Sequence, residues 1–76
     1  MALRNGTFGV TGYELRARRR GLDVSQDALA RRMGVVRQRV GQAEAMAQPS
    51  ETLARRYLAA LLAEAAVRRT LRAGSR

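Results

Sequence analysis

The apolar positions of this chain fall into short groups at helical spacing, each bounded by residues that start or stop a helix. The stretch "TGYE" puts Thr11 at an N-cap with Glu14 three residues on, the capping-box pattern. It predicts a first helix from about Gly12 to Arg20, with Tyr13 and Leu15 as its clearest apolar residues; after it Leu22 and Val24 are able to turn inward. Ser25 is the next N-cap, and Asp27 in the following turn suits the helix dipole. Leu29, Ala30 and Met33 make the stripe of a short second helix, which Gly34 closes as a residue able to take positive φ. A third helix is predicted from Val36 to Ala45. Pro49 stops it from simply continuing, and Ser50 caps a fourth helical region. From Glu51 to Ala73 there is no breaker. Leu53, Tyr57, Leu58, Leu61, Leu62, Ala65 and Ala66 form a broad apolar face there, on one long helix or on two with a bend.

Residues 1–10, "MALRNGTFGV", lack a helical period and read as a flexible N-terminal arm, with Phe8 and Val10 able to pack onto the domain or a partner. Residues 11–73 form the domain, and residues 74–76 a frayed tail. No strand and no repeat is visible. On a wheel of about 100° per residue, Val36, Val40 and Ala43 fall on one side of the third helix. Arg37, Gln38, Gly41, Gln42 and Ala45 fall on the other. The first set is a core stripe. The second carries the side chains that pair bidentately with base edges, arginine with guanine and glutamine with adenine. Arg39 lies on a flank, where a phosphate strand would run. A polar helix face is more often simply solvated, so this pattern needs support from charge and motif.

Charge supplies some of it. The 76 residues carry a formal net charge of +9, and all fifteen basic residues are arginine. Arginine in place of lysine reads first as the mark of a GC-rich genome, which leaves the total charge as the informative quantity. It points to a polyanion: nucleic acid, an anionic membrane surface or an acidic protein. Catalysis is poorly provided for. Cysteine and histidine are absent, the six carboxylates are scattered, and no serine has an obvious base, so neither an enzyme nor a metal site nor a cofactor is expected. No apolar run approaches a membrane span, and Met1 to Thr11 lacks the hydrophobic stretch of a signal peptide. The expected compartment is the cytosol.

The stretch "ELRARRRGLDVSQDALARRMGVVRQRVGQAE", residues 14–44, resembles the helix-turn-helix domains of the lambda repressor and Cro class, also called the Xre family. The resemblance rests on the "SQ" opening at Ser25 and Gln26, the small Ala30, the turn glycine Gly34, the aliphatic Val40 and Glu44. It implies an all-α, lambda repressor-like helix-turn-helix bundle of four to five helices. By the same resemblance Arg37, Gln38 and Gln42 occupy base-reading positions, and Gln26 matches a glutamine that contacts a phosphate. Arg31 and Arg39 are further phosphate candidates, with Arg4, Arg32, Arg55 and Arg56 behind them. Gly41 and Ala45 would let the helix backbone approach the groove floor. Glu44 matches a glutamate that pairs with an arginine seven residues before the "Q", here Arg19. The chain departs from the family pattern at Val36, usually a Ser or Thr cap, at Asp23, often glycine, and at Ala43 and Met46.

The function these features imply is a sequence-specific regulator of transcription, a bacterial or phage repressor type, binding a palindromic duplex operator as a homodimer. Leu58, Leu61, Leu62 and Ala65 are its dimer-seam candidates, the alternative being that they cover the monomer core. A second reading is an antitoxin-type module whose main partner is a protein such as a toxin. RNA binding is less well served, since only Phe8, Tyr13 and Tyr57 offer rings for base stacking.

Overall fold

In the computed structural model residues 9–74 are described, with side chains through Leu71. They form four helices and no strand: α1 Gly12–Gly21, α2 Gln26–Met33, α3 Arg37–Ala45 and α4 Glu51–Gly74. Three of the four starts carry a side-chain cap. Thr11 Oγ1 accepts from the Glu14 N–H while Glu14 accepts from the Thr11 N–H, closing the capping box. Ser25 Oγ accepts from the Ala28 N–H and Ser50 Oγ from the Leu53 N–H. The exception is α3, whose N-cap is Val36, with no side chain to bond. That helix therefore begins at Arg37, one residue later than its sequence pattern suggests.

The helix ends α1 and α2 share one device. After α2, Gly34 takes φ 76°, the Val35 N–H reaches back to Ala30 O, and the Gly34 N–H to Arg31 O. After α1, Asp23 takes φ 60° and the same two bonds form, from Val24 to Arg19 O and from Asp23 to Arg20 O. Both are left-handed caps that satisfy the last carbonyls and turn the next side chain inward. Aspartate does at Asp23 what glycine does at Gly34, at a greater steric cost.

The core is Leu15, Val24, Leu29, Ala30, Val40, Ala43, Tyr57 and Leu61, with α2 packed on both α3 and α4. Val10 packs against it half-buried, so the arm gives way to the body before residue 11; Met1 to Phe8, including Arg4, lie outside the described residues. At the other end α4 runs unbroken for 24 residues through Gly74, and Ser75 and Arg76 lie outside the described residues.

Several sequence expectations change. Tyr13 is 75% exposed, because it lies about 200° around α1 from Leu15 and both cannot face inward. Val36 is 65% exposed, because as an N-cap it falls outside the helical period of α3. Leu61 (1% exposed) and Ala65 (9%) sit in the monomer interior with Ala54 and Tyr57, so neither is available as a dimer seam. Leu58 is half-buried against the core, and of the four candidates only Leu62, at 65%, is well exposed.

Glycine Gly12 has a role that no sequence pattern signals. Its N–H donates to Met46 O at 2.9 Å. A Cβ there would collide with Met46 O and lie 2.5 Å from Glu44 O and 2.6 Å from Ala43 O. The start of α1 thus rests directly on the end of α3, and only glycine permits the contact.

The buried centre of the fold is polar. Glu44 of α3 accepts from Arg19 of α1 twice, Nε to Oε2 at 2.6 Å and Nη2 to Oε1 at 3.2 Å. Gln26 of α2 donates to Oε1 at 3.0 Å, and the Tyr57 hydroxyl of α4 donates to Oε2 at 2.5 Å, with Leu15 O 3.1 Å away. Arg19 Nη1 also donates to Val24 O at 2.9 Å. Burial is the largest influence on Glu44 and pushes its pKa up. The hydrogen bonds from Arg19, Tyr57 and Gln26 and the Arg19 charge together outweigh it, and hold the carboxyl below its ordinary value. Its hydrogen bond to Glu44 raises Arg19, and burial followed by the Glu44 bond raises Tyr57.

Three outcomes are expected. A carboxyl with a depressed folded pKa stabilises above its unfolded value and loses that contribution as pH falls. Stability should therefore drop as pH falls below about 4.5, the ordinary value for Glu44. Glu44→Gln should be less stable at neutral pH, since Arg19 loses its counter-charge, by about 3–5 kcal/mol; its acid limb should be flatter. Urea melts across pH check both. Gly12→Ala should lower the melting temperature, because backbone carbonyls cannot yield as a flexible side chain can, and overpacking of this kind costs about 1–3 kcal/mol.

Candidate nucleic-acid interface

The exposed side of α3 follows from what its inner side must do. Val40, Ala43 and Glu44 are buried, and the helical period then turns Gln38, Gln42 and Ala45 fully outward. Arg37, Gln38, Gly41, Gln42 and Ala45 line one shallow hollow, with Gln26 of α2 at its edge. All the residues named as base-reading or close-approach candidates are therefore on one continuous surface. It offers a guanidinium and two free amides, donors and acceptors of the kind that base edges present in return.

Gln26 joins this surface to the core. Its Nε2 donates to Glu44, which fixes the amide orientation and points Oε1 outward, where it accepts from Arg37 Nε at 3.4 Å. Its side chain is half-buried, so it acts first as a strut between α2 and α3, with its oxygen facing the hollow. Arg19 and Glu44 lie beneath it as a buried ion pair.

Gly41 lies in the interior of its helix and differs from Gly12 at the start of α1; Gly21, also in open space, is the last residue of α1, where the cost of a helix interior does not arise. A Cβ on Gly12 meets three backbone oxygens, whereas one on Gly41 meets nothing nearer than Gln26 Nε2 at 3.9 Å. Gly41 has no positive φ either. Neither packing nor backbone conformation requires a glycine at this position.

The remaining arginines divide by location. Arg39 and Arg56 border a hollow on one side of α3, beside Gln42 and Met46. On the other side, Arg16 and Arg20 of α1 line a groove with Gln26, Gly41 and Ala45. Sequence reasoning does not single these two out; the one signal they carry is a spacing of four, which stacks them one turn apart next to Arg19. Arg31 lies elsewhere. It points about 140° around α2 from Gln26 and borders a hollow with Arg32, Glu64 and Arg68, away from the exposed face of α3. Arg32 and Arg55 are engaged in ion pairs with Glu64 and Glu51.

Among the described residues no cluster of acidic side chains is placed to hold a metal ion, and no helix is long and apolar enough to cross a membrane. Comparison of the chain with protein-family models, with curated proteins and with solved structures finds no match.

Proposed function

We propose that this chain is a sequence-specific duplex-DNA-binding regulator of transcription with a lambda repressor-like helix-turn-helix fold. In this reading α2 and α3 are the helix-turn-helix pair and Gly34 is the turn residue. Helix α3 enters the major groove, where Arg37, Gln38 and Gln42 read base edges. Gly41 is the observation that carries it. A glycine costs a helix interior about 1 kcal/mol relative to alanine. At Gly12 an internal contact explains that cost; at Gly41 nothing internal does. A surface that comes close to the helix backbone between Arg37, Gln38 and Gln42 explains it, and the floor of a DNA groove is such a surface. The net charge of +9 agrees with a polyanionic partner.

The regulator acts as a homodimer, with its two α3 helices in successive major grooves about 34 Å apart on a two-fold operator. Its self-association surface includes what α4 leaves exposed, chiefly Leu62, Val67 and Leu71. The same three residues favour the second reading, a protein-interaction module of antitoxin type, in which they meet a different protein.

A gel shift against the DNA upstream of its own gene, with random competitor, should give one specific complex with a dyad-symmetric footprint. Equal affinity for every duplex would overturn the proposal. Gly41→Ala should raise stability by about 1 kcal/mol. Gly41→Leu should leave folding intact and abolish specific binding. Gln42→Ala should relax the choice at one base pair per half-site, at a cost of about 1–3 kcal/mol. Sedimentation of the free chain, with Leu62→Glu as the disrupting variant, tests the dimer.

A further inference from the structure

The ion pairs sort the arginines by whether their charge is available. Arg19, Arg32, Arg55 and Arg68 each have a carboxylate partner within the chain. Among the described residues Arg16, Arg18, Arg20, Arg31, Arg37, Arg39, Arg56 and Arg69 have none. Of these eight, Arg37 is on the α3 face itself, and four lie in the hollows bordering it, in two pairs: Arg39 with Arg56, and Arg16 with Arg20.

The pair on α1 is set apart by its surroundings. Arg16 and Arg20 are one turn apart and exposed, on a helix whose buried face is Gly12, Leu15 and Arg19. The groove they line contains Gln26, Gly41 and Ala45, so their guanidinium groups border the same surface that the reading residues occupy. Arg18 lies about 200° around α1 from Arg16, on the far flank, and Arg31 points away from α3. Among the described residues the only carboxylate lining the groove is Glu44, and its charge is already taken by Arg19, Gln26 and Tyr57.

Resting on the DNA reading above, we infer that Arg16 and Arg20 of α1 form a phosphate rail. While α3 lies in the groove, they contact the backbone of one DNA strand along the Gln26 side, and Arg39 and Arg56 face the opposite strand. The rail is sequence-independent: it sets the depth and tilt of α3 and leaves discrimination to Arg37, Gln38 and Gln42. It also replaces Arg31 as the phosphate contact from the first half of the chain.

The test needs no knowledge of the operator. Binding of the full chain to a random-sequence 30-base-pair duplex is followed by fluorescence anisotropy from about 50 to 200 mM salt, a range over which phosphate neutralisation dominates the slope. Removing one arginine from a phosphate should reduce the slope of log Kobs against log salt by about 0.9. Arg16→Gln/Arg20→Gln should therefore bind more weakly, and its affinity should fall about 12-fold less steeply than that of wild type across that range. Arg18→Gln/Arg31→Gln removes the same charge and should keep a slope close to wild type. Arg16→Lys/Arg20→Lys should restore the slope, since a point charge suffices for a phosphate. All of these positions are exposed, and matched thermal melts verify folding. Equal slopes for the two glutamine double variants would overturn the rail while leaving the DNA reading intact. A wild-type chain that binds no duplex would overturn both.

Discussion

One buried carboxylate holds this fold together. Glu44 receives hydrogen bonds from Arg19 of α1, Gln26 of α2 and Tyr57 of α4, so all four helices meet on it. Such a pair is not a strong net source of stability, because both charges must leave water. Its force is as a constraint. A shift of one helix that leaves Arg19 or Glu44 buried without its partner costs several kcal/mol in a domain whose whole stability is of the order of 5–15 kcal/mol. The apolar core of a 76-residue chain is small, and burial of Leu15, Leu29, Val40 and Leu61 is non-directional, so by itself it leaves the helices some freedom of register. The network around Glu44 removes that freedom.

The same constraint determines what α3 offers outward. With Glu44 turned in to its donors, the helical period leaves Gln38, Gln42 and Ala45 in solvent, and Gly41 at the edge beside Gln26. Gln26 carries the link from core to surface, since one end of its amide is held by Glu44 and the other faces Arg37. Gly12 supplies the second anchor: the start of α1 is hydrogen-bonded to Met46 O just past the end of α3. Helix α3 is thus held through its last turn, with Val40 packed into the core before it, as a rigid element must be if its side chains are to meet a partner in register.

What is legible in the sequence is local. Thr11, Glu14, Ser25, Gly34 and Ser50 act on backbone groups within a few residues of themselves, so the helix limits and the all-helical class can be read directly. What escapes depends on distant neighbours. Nothing near Gly12 in sequence announces the carbonyls of Ala43, Glu44 and Met46. Leu61 and Leu62 are equally apolar neighbours, and only the direction from which α1 and α2 approach decides that the first is core and the second surface. Arg16 and Arg20 are ordinary solvated charges on α1 alone, and only the fold sets them in one groove with Gln26, Gly41 and Ala45. Of the candidate surface, the α3 face is legible because a single helix carries it; its borders are not, because other helices supply them.

The central claim, that the exposed face of α3 reads duplex sequence, is tested most directly by selection from a pool of randomised DNA duplexes. Retained duplexes are amplified and sequenced over several rounds, with Gly41→Leu run in parallel. The expected result is enrichment of one motif by the wild-type chain, with dyad-related half-sites, and no enrichment by the variant. A pool that stays random under wild-type selection, or the same motif emerging with Gly41→Leu, would contradict it.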